Sequence, residues 1–334
     1  MNIGIIGVSG YTGLELLKIL IAHPEFNITY LGTTEGNEQI ESLHPSLSGV
    51  YSADVEKTDI VEVSKQCELV FLALPHKTAM SYVKELSKFD IKIVDLSADY
   101  RLKRETYEEF YVPHIDPDNL EKSVYGLPEL FRDDIKKASL IANPGCYPTA
   151  SILGTAPFLK HKLKNSTIII DAKSGVSGAG KKLSTTTHFV TVNDNMFAYS
   201  PMAHRHSPEI EEKLSTVSGE REKVIFVPHL VPVTRGMLAS IYVQVENEID
   251  PIALLKEFYR DEKFIRIREK PVSMKDVAGT HYCDIYAKYS DGVIYIESAI
   301  DNLLRGASSL AVANANLMAG FDEVLGLPNF AYVP

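Results

Sequence analysis

One cysteine has the surroundings that reaction chemistry requires. It is Cys146 in N-P-G-C-Y-P-T, residues 143–149. An apolar stretch predicts a strand over 139–143, and Pro148 suits the first turn of a helix that follows. The partial positive charge at a helix N-terminus stabilises a thiolate, so we expect a pKa below the ~8.5 of an ordinary cysteine. Cys146 is therefore predicted to be a nucleophile; the alternative is a small, inert buried side chain.

Two histidines are the predicted proton partners of this thiol. They occur in A-H-R-H-S-P-E-I, residues 203–210. His204 and His206 are two residues apart, so in an extended segment both side chains point to the same side. Ser207 and Pro208 predict a helix start, and a histidine beside it tends to stay neutral, as a general base must. The alternatives are surface histidines or a metal pair. No third ligand has suitable spacing, and we predict no metal site.

A glycine turn near the start predicts a dinucleotide site. It reads G-V-S-G-Y-T-G, residues 7–13, between an apolar strand and an amphipathic helix. Gly7 permits a tight turn, Gly10 lets the backbone approach a pyrophosphate, and Gly13 allows close packing of helix on strand. The helix N-terminus then faces the phosphates. The spacing is GxxGxxG rather than the usual GxGxxG, and a glycine turn that serves packing alone is the alternative.

Two further segments are typical of anion binding. K-S-G-V-S-G-A-G, residues 173–180, follows a strand predicted over 166–172, and successive N–H groups in such a turn can form an anion nest. H-L-V-P-V-T-R-G, residues 229–236, ends in Arg235, whose guanidinium can hold a carboxylate or phosphate with two bonds. The alternatives are a flexible hairpin loop and a surface arginine.

A parallel sheet must position these groups. Apolar strands are predicted at 28–34, 69–75, 91–97 and 139–143, alternating with helices, which predicts a doubly wound α/β domain. Ligands bind beyond the carboxyl ends of such strands, where we expect the glycine turn, Pro75, Ser97 and Cys146 to meet at one edge.

The end of the second strand leaves the choice of cofactor open. It reads Thr33, Thr34, Glu35. Hydroxyl groups there fit the 2′-phosphate of NADP, whereas an acidic residue fits the ribose of NAD.

Composition excludes several classes of protein. The 334 residues are 45% hydrophobic and 23% charged with a net charge of −10, which predicts about two globular domains and argues against nucleic-acid binding. No apolar run reaches the ~20 residues that cross a bilayer, and the start lacks the features of a secretion signal. Three scattered cysteines form no disulfide framework. We therefore expect a cytoplasmic protein without membrane or nucleic-acid partners.

The motifs together resemble those of the N-acetyl-γ-glutamyl-phosphate reductases, the acyl-phosphate reductases of arginine biosynthesis. The segments that carry the resemblance run from end to end: GVSGYTG, DLSADYRL (95–102), YGLPEL (125–130), NPGCYPT, KSGVSGAG, HRHSPEI (204–210), HLVPVTRG and DNLLRGAS (301–308). The related aspartate-semialdehyde dehydrogenases share the architecture and the catalytic cysteine. They lack the HRHSPEI and HLVPVTRG forms.

The resemblance implies a fold and an assembly. Residues 1–147 and 305–334 form a Rossmann-like dinucleotide-binding domain. Residues 148–304 form an α+β domain, similar to the C-terminal domain of glyceraldehyde-3-phosphate dehydrogenase, for substrate, catalysis and oligomerisation. The thiol then lies in the cleft between the domains, and the expected assembly is a homodimer or homotetramer.

The resemblance also implies a mechanism. Cys146 attacks the acyl phosphate of N-acetyl-glutamyl 5-phosphate, phosphate leaves, and NADPH reduces the thioester to the semialdehyde. His206, nearer the helix end, is the expected acid/base, and His204 orients the substrate or nicotinamide. Arg235, Arg101 and Tyr199 are the expected substrate contacts. The predicted cofactor contacts are Gly7, Ser9, Gly10, Tyr11, Thr12, Gly13, Thr33, Thr34, Pro75, Ser97, Ser177, Gly178, Gly180 and Asn316.

The chain departs from the family pattern in two places. T-T-E-G-N replaces the arginine, or serine-arginine pair, that follows the second strand in relatives. Leu310 and Ala313 replace two glutamines, although Asn314 and Asn316 remain. The alternatives are a sister reductase for aminoadipyl or aspartyl phosphate, and a dinucleotide-sensing protein without chemistry. A cysteine hydrolase would not need the glycine turn.

Overall fold

A computed structural model describes residues 1–332 as two compact units. The first comprises Met1–Pro144 and Ala307–Leu327. The second comprises Gly145–Gly306 and the segment that begins at Pro328. No helix among the described residues is long and apolar enough to cross a bilayer.

The first unit is built on an eight-stranded sheet. In chain order its strands are β1 (Asn2–Ile6), β2 (Asn27–Thr33), β3 (Glu38–Gln39), β4 (Asp54–Lys57), β5 (Leu69–Leu72), β6 (Lys92–Asp95), β7 (Val124–Tyr125) and β8 (Leu140–Ala142). Their order in space is β3-β4-β2-β1-β5-β6-β8-β7. All pairs are parallel except β3 with β4, which are antiparallel. This is the doubly wound sheet that the alternation of strands and helices predicts.

Helices connect these strands. They are α1 (Tyr11–Ile21), α2 (Ile40–Leu43), α3 (Ile60–Gln66), α4 (Ala79–Leu86), α5 (Arg104–Phe110), α6 (Pro117–Lys122) and α7 (Pro128–Ile135). In α1 the apolar face of Leu16, Leu17 and Leu20 is buried. Every residue of β5 is buried, as expected of a parallel strand with both faces covered.

The second unit is built on a seven-stranded mixed sheet. Its strands are β9 (Ile168–Gly175), β10 (Phe197–Ala198), β11 (Val224–Val231), β12 (Met237–Gln244), β13 (Ile265–Ile267), β14 (Cys283–Ser290) and β15 (Val293–Ile300), in the order β10-β11-β9-β12-β15-β14-β13. Most pairs are antiparallel, but β9–β11 and β13–β14 are parallel. Its helices are α8 (Cys146–Thr155), α9 (Phe189–Val192), α10 (His206–Ser218), α11 (Pro251–Phe258) and α12 (Met274–Val277).

The chain then returns to the first unit through a π-helical turn. This turn spans Leu304–Ser308 and leads into α13 (Ser309–Ala319). Residues 309–318 are all buried, since small alanine and serine side chains allow the helix to approach its neighbours closely. Gly320, at φ 78°, ends the helix in the left-handed conformation that favours glycine.

Candidate active site

Cys146 is the first residue of α8. Gly145, in an extended conformation, caps the helix, and every residue from Tyr147 to Thr155 is buried. The thiol itself is only half-buried. The sulfur therefore lies at the N-terminus of the helix and outside the packed core, which is the environment that favours a thiolate.

Gly306 forms one side of the thiol's surroundings. A β-carbon added to Gly306 would lie 2.6 Å from the Cβ and 3.0 Å from the Cα of Cys146. The N–H of Gly306 donates to the carbonyl of Asp301 at 2.9 Å, which holds the π-helical turn in place. Only glycine fits this close approach. The sequence marked this glycine as part of a motif but did not indicate its contact.

The two histidines lie side by side. Their ring centroids are 4.9 Å apart, and the N–H of His206, the first residue of α10, donates to Nδ1 of His204 at 3.2 Å. Burial and the charge of Arg205 lower the pKa of His204 to about 4. His204 is therefore neutral at physiological pH, with its hydrogen on Nε2.

Tyr147, the residue after Cys146, contacts both histidines. Its ring centroid lies 5.6 Å from that of His204 and 5.8 Å from that of His206. Its hydroxyl donates to the carbonyl of His229 at 3.2 Å and accepts from Tyr199 at 2.9 Å. Burial raises the pKa of both tyrosines, so both hydroxyls stay protonated. The structure thus brings both histidines and the predicted Tyr199 to Tyr147, the residue that directly follows Cys146 in α8.

Glu209 is a site residue that the sequence reasoning missed. It lies in the first turn of α10, is 1% exposed, and its Oε1 accepts the N–H of Gly145 at 3.1 Å. This bond fixes the start of the histidine helix against the start of the cysteine helix. An acidic residue in a first turn normally indicates only an interaction with the helix dipole, so its partner had no local signal.

Arg235 forms an ion pair within the chain. Its Nε lies 3.0 Å from Oδ2 of Asp301, and its Nη2 donates to Oδ1 at 3.1 Å. Asp301 is fully buried and also accepts the N–H of Gly279 at 2.8 Å. The guanidinium carbon lies 5.9 Å from the ring centroid of Tyr332. A substrate anion at Arg235 must share this guanidinium with Asp301.

Asn302 fixes the two segments that were predicted to bind anions. Its Oδ1 accepts the N–H of Gly236 at 2.8 Å, and its Nδ2 donates to Oγ of Ser177 at 2.9 Å. Ser177 and Gly178 lie in a 3-10 turn over Val176–Ala179, and Gly180 follows at φ 82°. The predicted turn begins later than expected, because β9 continues to Gly175.

The glycine turn of the first unit has the geometry of a phosphate cradle. A β-carbon on Gly7, at φ 95°, would lie 2.3 Å from the carbonyl oxygen of Ala73, and one on Gly13 would lie 2.5 Å from that of Gly7. The position of Gly10 is open, with its nearest neighbour 3.9 Å away. Gly10 also caps α1, so the backbone around the helix start is accessible to a phosphate group. Ser9 lies in this turn, and Tyr11 and Thr12 are the first two residues of α1.

The strand-end residues differ in their surroundings. Thr33 uses its hydroxyl within the chain, where it accepts the N–H of Gly36 at 2.9 Å. Thr34 and Pro75 are exposed beyond the ends of β2 and β5.

Three other predicted ligand contacts are engaged within the first unit. The hydroxyl of Ser97 donates to Asp95 at 2.7 Å and accepts the N–H of Asp99 at 3.0 Å. Arg101 donates to the carbonyls of Asn143 at 2.7 Å and Leu96 at 2.8 Å, which ties together the ends of β8 and β6. The amide of Asn316 donates to the carbonyls of Glu323 and Leu325. Each of these side chains supports the fold where it stands.

Asp95 is an acidic group with a perturbed pKa. It is fully buried, and burial together with the charge of Asp99 raises its pKa to about 7. Asp99 accepts the N–H of Lys77 at 2.7 Å and the hydroxyl of Tyr107 at 2.9 Å. The D-L-S-A-D motif therefore forms a carboxylate network below the strand ends.

Known protein families match both units. Residues 2–138 match the NAD-binding domain of semialdehyde dehydrogenases, and residues 146–302 match their dimerisation domain. Fold and thiol site thus define an oxidoreductase of the semialdehyde dehydrogenase class. Within residues 1–332, no cluster of three or more histidine, cysteine or acidic side chains is arranged to hold a metal ion.

The chain belongs to the N-acetyl-gamma-glutamyl-phosphate reductase family. It is 60% identical to the reductase of Sulfurimonas denitrificans over 334 residues, which cover 100% of this chain and 99% of that protein. It is 55% identical to the reductase of Wolinella succinogenes, covering 99% of this chain and 98% of that protein.

Solved structures share the fold at low sequence identity. Aspartate semialdehyde dehydrogenase II from Vibrio cholerae superimposes with a TM-score of 0.74 at 15% identity, covering 96% of this chain and 98% of that chain. The enzyme from Candida albicans, solved with NADP, gives a TM-score of 0.70 at 14% identity, covering 95% and 98%. These likenesses identify the architecture.

Proposed function

We propose that this chain reduces N-acetyl-L-glutamyl 5-phosphate to N-acetyl-L-glutamate 5-semialdehyde and phosphate, with NADPH as the reductant. The observation that carries the proposal is a half-buried thiol at a helix N-terminus, beside a tyrosine that contacts two histidines. Relatives at 55–60% identity along the whole chain are named for this reaction.

The thiol and the histidines divide the chemistry between them. Cys146, as a thiolate, attacks the acyl carbon; the bond to phosphate breaks and a thioester forms. NADPH, when bound, supplies the hydride that reduces this thioester. The resulting adduct collapses, releasing the aldehyde and regenerating the thiolate.

His206 is the acid/base in this proposal. Nδ1 of His204 already accepts a backbone N–H, and its pKa of about 4 makes it a poor proton carrier near neutral pH. His204 instead presents a fixed Nε2–H donor that orients the substrate. His206 takes the thiol proton, gives it to the oxygen of the reduced adduct, and takes it back when the adduct collapses to the aldehyde.

The first unit is the proposed dinucleotide domain. Gly7 and Gly13 leave no room for side chains, and the open Gly10 caps α1, so the turn fits a pyrophosphate. The preference for NADP over NAD is part of the proposal, with the exposed Thr34 as the candidate for the 2′-phosphate.

The second unit is the proposed oligomerisation domain of a cytoplasmic homodimer or homotetramer. Its sheet carries apolar side chains that are exposed: Ile169 at 43% and Tyr242 at 41%, the latter 5.3 Å from the ring of Tyr295. The family model that covers residues 146–302 is that of a dimerisation domain. Sedimentation of the purified chain measures the assembly.

The reverse reaction tests the proposed activity. Phosphate, NADP or NAD, and each of the N-acetylglutamate, aspartate and aminoadipate semialdehydes are mixed, and absorbance of the reduced cofactor is followed. We expect the N-acetylglutamate semialdehyde with NADP to react fastest. Cys146→Ser should lose at least ~10³-fold in rate, whereas Cys67→Ser, which alters a buried thiol elsewhere, should retain most of it.

Two results would refute parts of the proposal. Substantial activity in Cys146→Ser would exclude the thioester. A larger loss in His204→Asn than in His206→Asn would reverse the assignment of the histidines.

A further inference from the structure

A buried histidine contacts the glycine turn from inside the first unit. His44 is 6% exposed, and its Nε2 lies 2.7 Å from the carbonyl oxygen of Val8. It directly follows α2 in the segment L-H-P-S-L, residues 43–47. Its backbone N–H donates to Ile40 at 2.9 Å, and its carbonyl accepts from Leu47 at 2.9 Å. His44 therefore joins two short helical turns through its own backbone hydrogen bonds.

The chemistry of the contact fixes the tautomer. A carbonyl oxygen only accepts hydrogen bonds, so Nε2 of His44 must carry the hydrogen. A buried carbonyl without this donor would lose its partner, which costs free energy. The imidazole thus determines the direction in which the Val8 carbonyl points.

That direction also sets the orientation of the next N–H. The C=O of Val8 and the N–H of Ser9 belong to one peptide plane, and in a trans peptide they point in opposite directions. No cis peptide occurs in the described part of the chain. The N–H groups of Gly7 and Val8 both donate to the carbonyl of Gly32, at 2.8 and 3.4 Å, so they face the sheet. With the Val8 carbonyl turned toward His44, the Ser9 N–H points away from the buried imidazole.

We infer that His44 is a positioning residue for the dinucleotide. By holding the Val8 carbonyl inward, it presents the Ser9 N–H to the cofactor pyrophosphate. Loss of the bond permits the 8–9 peptide to flip, which would turn a carbonyl oxygen toward the negatively charged phosphates. This inference rests on the proposed function, because it requires that the glycine turn binds a dinucleotide.

Three substitutions in the full-length protein test the inference. The side-chain amide nitrogen of glutamine reaches about as far as Nε2 of histidine, whereas that of asparagine falls short of it. We expect His44→Gln to bind NADPH within about threefold of the wild type. His44→Asn and His44→Ala should raise the Kd for NADPH by about tenfold or more, the size of one hydrogen bond to a charged group. The chain contains no tryptophan, so fluorescence of the reduced nicotinamide reports binding directly.

Two readouts separate positioning from a general loss of structure. The KM for NADPH should rise in His44→Asn while kcat at saturating NADPH stays within about threefold of the wild type. The rate at which iodoacetamide alkylates Cys146 without cofactor should not change. The matched control is His23→Asn, at a buried histidine of the same unit whose Nε2 contacts the carbonyl of Leu325 at 3.1 Å. This control should lower the melting temperature without changing the Kd for NADPH.

The possible outcomes are distinct. A wild-type protein that binds neither NADPH nor NADH would refute the proposed function itself. Equal Kd values for the Gln and Asn variants, in a wild type that binds NADPH, would overturn the inference about His44 alone. That comparison also holds if the alanine variant does not fold.

Discussion

Replacement of Gly306 by alanine tests how closely the thiol is positioned. The new Cβ would lie 2.6 Å from the Cβ of Cys146, about 1 Å short of the ~3.5–4.0 Å at which two carbon atoms pack. The nearest atoms belong to the start of α8 and to its backbone, so no flexible side chain can move aside. Either the π-helical turn or Cys146 must shift by roughly 1 Å.

The expected losses follow from that displacement. Crowding of a packed site typically costs about 1–3 kcal/mol of stability. A displacement of ~1 Å at a reacting atom can lower the rate by about 10²-fold. We therefore expect kcat of Gly306→Ala to fall about 10²-fold, and the alkylation rate of Cys146 by iodoacetamide to change as well, since both depend on the position of the sulfur.

Gly154→Ala is the matched control. Gly154 lies in the same helix, and a Cβ there would be 2.7 Å from Cδ1 of Ile241, in the core and far along the helix from the sulfur. Its melting temperature should change, but its kcat should stay within about threefold of the wild type. A Gly306→Ala enzyme with more than about a third of the wild-type kcat and unchanged alkylation would show that the close contact does not determine the position of the thiol.

Two further predictions concern buried carboxylates. Glu209→Gln keeps an acceptor for the N–H of Gly145, so its kcat should stay within about threefold of the wild type. Glu209→Ala leaves that N–H without this acceptor, so the variant should lose about 1–3 kcal/mol of stability together with activity. Urea denaturation and steady-state rates measure both effects, and equal stability and activity in the two variants would contradict the role of this bond. The pKa of Asp95 is raised from 3.8 to about 7. Between those pH values the folded chain keeps a proton that the unfolded chain releases. The free energy of unfolding therefore falls as the pH rises. Asp95→Asn removes this contribution, so the melting temperature of the wild type relative to the variant should fall between about pH 5 and 7.5; parallel curves would refute the raised pKa.

Local patterns were sufficient to predict the parts of the fold that depend on neighbouring residues. The glycine turn, the apolar strands and the helix that begins at Cys146 all occur where short stretches of sequence indicate them. Strand β9 runs further than predicted because Lys173, Ser174 and Gly175 pair with β11, and the first two also with β12. Pairing with β11 outweighs the weak strand preference of Gly175.

Contacts between distant segments could not be predicted from local patterns. The side chain of Glu209 accepts the N–H of Gly145, which lies 64 positions earlier in the chain. Gly306 packs against Cys146, although the two residues lie near opposite ends of the segment Gly145–Gly306 in sequence. The hydrogen bonds of Ser97 and Arg101 within their own chain likewise had no local signal, and their predicted ligand contacts stay predictions. Sequence shows which atoms a side chain can offer, whereas the fold decides which partner takes them.

The pairing of Arg235 with Asp301 has a consequence for selectivity among acyl phosphates. Two contacts hold the guanidinium of Arg235 to the buried carboxylate of Asp301, and the ring of Tyr332 lies beside it. The guanidinium therefore cannot move to match a shorter or longer ligand. In the proposed reaction, with Arg235 as the substrate contact, this pairing would fix the distance from the Cys146 sulfur to the cation. We expect acyl phosphates that differ by one methylene group to be discriminated by length, because the cation has little freedom to compensate.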